Sequence, residues 1–310
     1  MSASFTSALG AALEAAGSQH YPQGALYVVA TPIGNLADIS LRALHLLALA
    51  DRVACEDTRH TQAMLRAYGI DKSGAQLLAV HQHNEAQAAH TVVELLHAGL
   101  RVAYVSDAGT PGVSDPGARL VAQVRAQGLR VVPLPGASSV TTLLSAAGLA
   151  QDGAGSTGFV FAGFLPSKAT ERAHAVQALA AQAQAMVMLE APHRIEALAL
   201  ALAALGERLV TVGRELTKQF EEIATVRADA LPAWLAADAN RLRGEFVLVL
   251  HPLQSKTEVA QDDRVLKLLL EHLPLKTAVK LAADISGEPR NALYQRALAL
   301  KAPAPDGAAD

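Results

Sequence analysis

The amino-acid sequence predicts an α/β fold with two α/β domains and a small C-terminal helical appendage. Short runs rich in β-branched residues alternate with helix-period stretches, which is typical of βαβ units around a mostly parallel, buried sheet. This alternation occurs twice along the 310 residues, which is enough chain for two domains. From about residue 258 the strand patterns stop and three helical patterns follow.

Five candidate strands define the first domain, which we place at residues 24–135. They are ALYVVAT (25–31), RVACE (52–56), LLAV (77–80), RVAYVS (101–106) and LRVVPL (129–134). Helix-period stretches at about 38–49, 59–68, 85–97 and 115–127 lie between them. Pro135 and Gly136 interrupt the chain and predict the domain boundary.

The second domain, residues 136–253, contains five further candidate strands. They are FVFAGF (159–164), AMVMLE (185–190), RLVTVGR (208–214), EEIATV (221–226) and EFVLVLH (245–251). Helical patterns cover about 168–182, 193–205 and 229–237. The last three strands follow one another with little helix between them, so this sheet is expected to be mixed rather than all parallel.

The two ends of the chain, 1–23 and 302–310, are expected to be mobile tails. No Lys or Arg precedes Arg42, which does not fit a secretory or transit peptide. The apolar helical stretch Ala197–Gly206 is shorter than the roughly 20 residues of a membrane span. Cys55 is the single cysteine, so no internal disulfide can form and a reducing, cytoplasmic location is expected, away from membranes.

Composition excludes several classes of function. With 26 Lys+Arg and 29 Asp+Glu the net charge is −3, so any contact with nucleic acid must come from a local patch. The chain is 51% hydrophobic, which excludes a disordered protein. One Trp, five Tyr and six Phe are too few to favour a base-stacking platform. The sequence also lacks GxxxxGK[ST], HExxH, GxSxG and CxxC.

Polar loops at strand ends are the candidates for chemistry. The loop SDAGTPGVSDPG (106–117) is long for a βα connection and is made rigid by its prolines, which favours a ligand loop. Asp107, at the strand tip, suits a ribose hydroxyl or an amine, whereas Asp115 before Pro116 is expected to cap a helix. TPIGNLADIS after the first strand and LPGASS (134–139) are further ligand-loop candidates.

Two more loops of the first domain carry acids and histidines. In EDTRHT, Glu56 and Asp57 are candidate acids, and the alternative is a helix cap with an ion pair to Arg59. In HQHNE, His81 and Glu85 favour a polar cleft wall over a metal site, because His90 is the one further ligand nearby. In the second domain, FLPSK, LEAPHR and GRELTK place Arg194, Arg214 and Lys218 at strand ends. A shared basic wall is predicted there, with solvated surface ion pairs as the alternative.

Together, TPIGNLADIS, EDTRHT, HQHNE, SDAGTPGVSDPG, LPGASS, GFLPSK, EAPHR, GRELTK and GEF resemble the tetrapyrrole-methylase family over residues 24–301. Within it they resemble the branch of small-subunit ribosomal RNA methyltransferases I. The resemblance implies a homodimer of two α/β domains with S-adenosylmethionine in the cleft between them and no metal. It also implies 2′-O-methylation of a cytidine in the decoding region of small-subunit (16S) rRNA, within the assembled or assembling subunit. Ser-Asp-Ala replaces the Gly-Asp-Pro of tetrapyrrole methylases, which weighs against the alternative of tetrapyrrole biosynthesis.

The resemblance also implies roles for individual residues. The implied cofactor contacts are Pro32, Ser106, Asp107, Ala108, Gly109, Val113, Ser138, Ser139, Leu189, Glu190 and Glu215. A ribose hydroxyl is a poor nucleophile and benefits from a base. The candidates for that base are Asp57, Glu56, His81 and Glu85, with Glu215 as a further one. The candidate RNA-binding residues are Arg59, Arg194, Arg214, Lys218, Lys276, Lys280, Arg290 and Arg296.

The C-terminal appendage, residues 258–301, resembles a helix-turn-helix. Over residues 272–301 five basic residues oppose Asp284 and Glu288, a local charge of +3 in an acidic chain. An appendage that docks RNA is the favoured interpretation. Two alternatives stay open: a hairpin that packs at a dimer interface, and a DNA-binding regulator whose α/β part senses a ligand.

Overall fold

A computed structural model describes residues 5, 7–81, 84–149, 158–253 and 263–301. It divides the chain into one compact unit, Met1–Leu253, and a second unit, Gln254–Asp310. The predicted tail 302–310 lies outside the described residues. In the part of the chain that the structure describes, no helix is long and apolar enough to cross a membrane.

The first sheet consists of β1 (Ala25–Val29), β2 (Arg52–Cys55), β3 (Leu77–Ala79), β4 (Val102–Val105) and β5 (Arg130–Leu134). Its order is β3-β2-β4-β1-β5, and every neighbouring pair is parallel. All five predicted strands are confirmed, with ends that differ by one or two residues. The chain order reverses beside β1, and open α/β sheets bind ligands at the carboxyl ends of the strands at such a point.

Helices cover both faces of this sheet. Helices α2 (Leu41–Leu49) and α3 (Thr58–Ala67) pack on the face that Tyr27 and Val29 of β1 share. Helices α4 (Glu85–His97) and α5 (Ala118–Ala126) pack on the opposite face, with Leu26 and Tyr104. Both faces are therefore apolar, which is the reason that the strands form continuous hydrophobic runs.

The second sheet consists of β6 (Phe159–Phe164), β7 (Ala185–Glu190), β8 (Leu209–Arg214), β9 (Glu222–Arg227) and β10 (Phe246–Leu250). Its order is β6-β7-β10-β8-β9. Strands β6 and β7 are parallel, and the other three pairs are antiparallel, which confirms the predicted mixed sheet.

Four helices pack on the second sheet. Helices α7 (Ala169–Ala180), α8 (Ile195–Leu202) and α9 (Leu231–Ala236) share one apolar cluster with it. Helix α6 (Ser139–Ala146) packs on the other face, where Val140 and Leu143 join a cluster with Ile33 of the first sheet's loops. Helix α6 therefore belongs to the layer that lies between the two sheets.

The predicted mobile tail 1–23 is wrong for the residues that the structure describes. Residues Ala8–Ala16 form helix α1, which packs against α2. Ala12 and Ala16, one helical turn apart, are 0% and 2% exposed, because alanine at that spacing allows two helices to approach closely. The stretch is alanine-rich and carries few large apolar residues, so its pattern gave no sign of a buried face.

The second unit is a three-helix cluster of α10 (Asp263–His272), α11 (Leu275–Ser286) and α12 (Arg290–Lys301). All three predicted helices are confirmed. Gly287, with φ +73°, ends α11 in the left-handed conformation that glycine adopts without strain. The small core is formed by Leu266, Val279, Ala282, Ala283, Leu293 and Ala297.

A pair of substitutions in α1 tests whether this helix is part of the folded core. Ala12→Asp places a charge where the structure has no exposed surface, whereas Leu13→Asp changes a side chain that is 62% exposed. We expect Ala12→Asp to lower the free energy of unfolding by about 2–4 kcal/mol, and Leu13→Asp to change it by about 0.5 kcal/mol or less. Urea denaturation measures both. Equal, small effects would contradict the packing of α1.

Candidate active site

A backbone bridge joins the loops that follow β1 and β4. The amide of Thr31 donates to the Gly109 carbonyl at 2.9 Å, and the amide of Gly109 donates to the Thr31 carbonyl at 3.1 Å. The hydroxyl of Thr31 also donates to the Ser106 carbonyl at 3.2 Å. Gly109 has φ +83°, a conformation that side chains other than glycine rarely adopt. The two loops thus form one rigid floor.

Two adjoining cavities open above this floor. The first has a volume of about 460 Å³ and extends to the ends of β7 and β10, and the second has a volume of about 440 Å³ and extends to α3. Both are lined by Ile33, Ala108 and Glu245, so these three residues form a shared wall. The cavities lie at the carboxyl ends of the first sheet, where its topology favours a ligand.

Most of the residues that the resemblance implied for the cofactor line this cleft. Those in the first cavity are Ala108, Gly109, Val113, Ser138, Ser139, Leu189 and Glu190. Pro32 and Asp107 line the second cavity, together with Lys218. Sequence reasoning missed several wall residues, which are Ile33, Thr110, Leu216, Glu245, Phe246 and Val247. Three of these residues belong to motifs that the sequence analysis quoted: Ile33 to TPIGN, and Glu245 and Phe246 to GEF. Those motifs were the sequence signal that could have identified them.

Ser106 and Glu215 support the cleft from behind its walls. Ser106 is 1% exposed, and its hydroxyl donates to the Gly109 carbonyl at 3.4 Å. Glu215 adopts φ +51°, and its Oε1 accepts hydrogen bonds from Lys218 Nζ at 2.8 Å and from the amide of Glu245 at 2.9 Å. Burial acts to raise the pKa of Glu215, but these hydrogen bonds and the charge of Lys218 outweigh it, and the pKa is lowered. Both residues therefore shape the walls.

Three carboxyl groups lie close together near the floor. Asp107 Oδ1 accepts a hydrogen bond from the amide of Asp57 at 3.2 Å, which ties the β4 loop to the β2 loop. Burial, and then the negative charges of Asp107 and Asp115, raise the pKa of Glu56. Burial and the charge of Asp107 likewise raise the pKa of Asp115, against a hydrogen bond from Ser106. Like charges in a partly buried site hold protons more tightly than isolated acids.

The remaining base candidates have other partners. Asp57 caps α3, accepting from the amide of Arg59 at 2.8 Å. Hydrogen bonds from the Arg59 side chain and amide lower the pKa of Asp57 to about 2. Glu85 is 7% exposed, and its Oε1 accepts from the amides of Gly117, Arg119 and Leu120 at the start of α5. His81 follows β3 at the sheet edge, and its amide donates to Asn84 at 2.8 Å.

The structure corrects the expected basic wall for two of its residues. Arg194 forms an ion pair with Glu190, with Nε 3.1 Å from Oε1, and its Nη2 donates to the Leu165 carbonyl. The side chain of Arg214 is 10% exposed and donates to the Phe220 carbonyl at 3.0 Å. Both guanidinium groups are therefore engaged by acceptors within the second domain, and each side chain is mostly buried.

Lys218 does line the cleft, and it brings the two sheets together. Its Nζ lies 2.8 Å from Glu215 and 3.1 Å from Glu245. A Cβ added to Gly34 of the β1 loop would lie 2.4 Å from Lys218 Cγ, so only glycine permits this approach. The positive charge of Lys218 is thus shared between the carboxylates of Glu215 and Glu245.

The other candidate RNA-binding residues differ in how available their charges are. Arg59 has a side chain 91% exposed but pairs with Asp57 at 3.1 Å. In the C-terminal unit, Arg290 pairs with Asp284 at 3.2 Å, and Arg296 pairs with Glu288. Lys276 and Lys280 are exposed on α11. Among the described residues, these two lysines are the C-terminal candidates that have no ion pair, whereas Arg290 and Arg296 are both paired.

Within the described ranges, no three His, Cys, Asp or Glu side chains are grouped so that they could hold a metal ion. The site is thus defined by its cleft, its acids and its glycine-dependent loops.

The chain belongs to the family of tetrapyrrole (corrin/porphyrin) methylases, whose model matches residues 25–232. A second model, described as the RsmI C-terminal HTH domain, matches residues 256–301. The first match covers most of the unit Met1–Leu253, and the second covers the three helices of the C-terminal unit.

Two similar relatives carry the name ribosomal RNA small subunit methyltransferase I. The protein from Escherichia coli O157:H7 is 47% identical over 280 residues, which is 89% of this chain and 95% of that protein. The protein from Neisseria meningitidis serogroup A is 47% identical over 284 residues, covering 90% and 94%.

Solved structures share the fold at lower identity. Cobalt precorrin-4 methyltransferase CbiF superposes with a TM-score of 0.53 at 18% identity, covering 74% of this chain and 98% of that one. Uroporphyrin-III C-methyltransferase from Thermus thermophilus, complexed with S-adenyl homocysteine, gives a TM-score of 0.50 at 18% identity, covering 73% and 96%. The predicted fold class is thereby confirmed.

Substitution of Glu85 tests whether this residue caps α5 or accepts a proton in catalysis. Glu85→Ala removes the acceptor of three amides at the start of α5. We expect the free energy of unfolding to fall by about 2–4 kcal/mol, because buried amides lose their partner. Glu94→Ala, at an exposed position of the same helix, is the matched control and should change little. If Glu85→Ala unfolds like wild type in urea but abolishes activity, the assignment as a cap is incorrect.

Proposed function

We propose that this protein is an S-adenosylmethionine-dependent methyltransferase that modifies the ribose 2′-oxygen of a cytidine in the decoding region of small-subunit rRNA. The observation that carries the proposal is the extent of the similarity, which includes both the methylase region and the C-terminal region. Relatives covering about nine-tenths of the chain are named for small-subunit ribosomal RNA. The chemistry of the cleft agrees with this assignment, whereas nothing in it favours the alternatives of tetrapyrrole biosynthesis or DNA-binding regulation. The protein acts as a homodimer in the cytoplasm, on the assembled or assembling subunit.

The first cavity fits the cofactor in size and in chemistry. A volume of about 460 Å³ lies within the range of small-molecule sites, and Val113, Leu189 and Phe246 give it apolar walls. Ser138 and Ser139 bring the start of α6 to the cavity, where backbone amides favour an acceptor group. Bound there, S-adenosylmethionine supplies an electrophilic methyl group on a sulfonium.

The second cavity is the place for the reacting ribose. Its lining includes Asp107, His60 and Lys218, which can accept or donate hydrogen bonds to a ribose hydroxyl. The shared wall of Ile33, Ala108 and Glu245 is where the two ligands approach each other. Fixed orientation of the two reactants in adjoining compartments is the main rate contribution that such a cleft can make.

None of the four base candidates is among the residues that line the two cavities, and we select Glu56 because its carboxyl lies near Asp107, which lines the second cavity. Its pKa is raised by burial and by Asp107, which brings it closer to the working pH. Asp57, with a pKa of about 2, is too acidic, and Glu85 is occupied as a helix cap. We assign to Glu56 the acceptance of the ribose hydroxyl proton, with Asp107 as the neighbour that tunes it.

The test of the proposed function is a ribose-methylation map of rRNA from cells that lack this protein. We expect one small-subunit cytidine to lose its 2′-O-methyl group. Expression of the wild-type chain should restore it, whereas Asp107→Ala should restore it poorly, because the variant loses a carboxylate that lines the proposed ribose cavity and that ties the β4 loop to the amide of Asp57. An unchanged map would exclude the proposal.

The pH dependence of methylation tests the pairing of Glu56 with Asp107. A base must be ionised, so activity should fall as the pH drops through the raised pKa of Glu56. Asp107→Asn removes a neighbouring negative charge, lowers that pKa and moves the acidic limb to lower pH. The position of the limb, taken from kcat/KM between pH 4 and 8, is the measurement. Glu56→Gln should lower the rate roughly 10²–10⁴-fold. If the acidic limb of the Asp107→Asn profile lies at the same pH as in wild type, the coupling between Glu56 and Asp107 is excluded.

The exposed lysines of α11 test the RNA-docking role of the appendage. The double variant Lys276→Gln/Lys280→Gln should bind the small ribosomal subunit more weakly. The slope of log binding constant against log salt concentration should fall by roughly 0.7–0.9 for each phosphate that is no longer neutralised. Arg290→Gln is the comparison, and its slope should change less, because Arg290 already pairs with Asp284. Cofactor affinity should stay unchanged in both. An unchanged slope in the double lysine variant would favour a hairpin that packs in a dimer.

A further inference from the structure

A third cavity adjoins the proposed ribose compartment. It has a volume of about 650 Å³ and is bounded by the β1 loop and the β8–β9 loop. Gly34, Leu36 and Lys218 line both this cavity and the second one, whereas none of the described residues around it lines the first cavity. The second cavity therefore lies between the other two. A nucleotide with its ribose in the second cavity has space for a further part of the molecule in the third.

The lining of the third cavity suits a neutral ligand. Its polar side chains are Asn35, Thr217, Lys218 and Gln219. Only Lys218 is charged, and its Nζ lies 2.8 Å from Glu215 and 3.1 Å from Glu245, so that charge is already compensated. A phosphate would find no uncompensated cation among the described residues of this lining. A nucleobase is uncharged, carries hydrogen-bonding groups at its edge and can stack on the ring of Phe5, which lines the same cavity.

Asn35 is the lining residue whose hydrogen-bonding direction is fixed. Its Oδ1 accepts from the amide of Ala37 at 3.1 Å, where it caps the 3₁₀ turn Leu36–Asp38. Because only the oxygen of a side-chain amide can accept this bond, the opposite end of the Asn35 amide is the amino group. The residue is exposed, and its Nδ2 has no acceptor within the described part of the chain. Asn35 therefore offers a ligand a donor and not an acceptor.

We propose that the third cavity holds the base of the target nucleotide and that Asn35 Nδ2 donates to N3 of cytosine, an inference that rests on the proposed function. Cytosine and uracil differ at two positions of the pairing edge. Position 4 of cytosine carries an amino group, which is itself a donor and cannot accept from Asn35. N3 is an acceptor in cytosine but carries a hydrogen in uracil. A fixed donor can therefore select cytosine over uracil only at N3, which makes Asn35 a specificity-determining residue.

Methylation of matched small subunits measures this selection. The substrates are subunits from cells that lack this protein, with either cytidine or uridine at the nucleotide that the methylation map identifies. We expect the wild-type kcat/KM to be roughly ten- to a hundredfold higher for the cytidine subunit, because the N3–H of uracil and the Asn35 amino group are two donors facing each other. Equal values would overturn the inference while leaving the proposed function intact. A wild-type protein that methylates neither subunit would count against the proposed function itself.

Asn35→Asp separates base recognition from the capping role of this residue. Aspartate caps a helix start as well as asparagine does, but it replaces the amino group with an acceptor. The variant should bind S-adenosylmethionine as wild type does, measured by calorimetric titration. Its preference should move roughly tenfold or more toward uridine, whose N3–H can donate to the carboxylate. Because both proteins meet the same two subunits, any effect of uridine on the subunit itself cancels in the comparison.

Asp238→Asn is the matched control. Asp238 caps the 3₁₀ turn Ala239–Leu242, accepting from the amide of Asn240 at 2.8 Å, and it is exposed and lines none of the three cavities. This variant should keep the wild-type preference for cytidine. Asn35→Ser keeps a capping oxygen but has no amino group, so it should lose the preference without reversing it. A wild-type preference in Asn35→Asp or in Asn35→Ser would overturn the contact.

Discussion

The pair of backbone hydrogen bonds between Thr31 and Gly109 is the constraint on which the cleft depends. Strands β1 and β4 are neighbours, but their loops would diverge beyond the sheet without this bridge. The bridge places Ala108 and Ile33 in the wall that both cavities share, and Asp107 against the amide of Asp57. Only glycine suits position 109, because φ is +83° and a Cβ there would lie 3.2 Å from Ile33 Cγ2. One residue type at one position thus fixes how the β1 and β4 loops form the wall between the two cavities.

The second sheet closes the cleft through a strained segment. Glu215 and Thr217 both have positive φ, which non-glycine residues adopt only when their surroundings hold them there. Glu215 is held by Lys218 and by the amide of Glu245, and Lys218 in turn packs against Gly34. The strain is therefore balanced by contacts that link the β8–β9 loop to the β1 loop. A segment of this kind fixes the geometry of the shared wall from the side opposite to the Thr31–Gly109 bridge.

The sequence was sufficient for the strands, because buried β-branched runs between helix-period stretches have few other interpretations. The loop SDAGTPGVSDPG, singled out for its three glycines and two prolines, contributes residues to the lining of both cavities, and its role in binding a ligand stays a prediction. The sequence did not predict the hydrogen bonds of side chains whose partners are distant in the chain. Glu85 binds the start of α5 more than 30 residues away, and Arg194 reaches the Leu165 carbonyl. Helix α1 was missed for a different reason: its buried face consists of alanines, whose contribution depends on close packing rather than on apolar area.

The charged residues inside the cavities and those outside them suit two different ligands, the cofactor and RNA. Asp107, Asp115, Glu190 and Glu245 line the cavities together with Lys218, so acidic side chains outnumber basic ones in the lining even though Glu190 pairs with Arg194 and Glu245 with Lys218. An acidic site favours a sulfonium cation, and the attraction disappears when methyl transfer leaves a neutral thioether, which promotes release of the product. The same acids repel RNA phosphates, and Arg194 and Arg214 are engaged inside the protein. Capture of an anionic polymer therefore falls to exposed basic residues outside the cavities. The proposed function is compatible with a net charge of −3, because the proposed cofactor site is lined mainly by acids and the proposed RNA-binding lysines lie outside it.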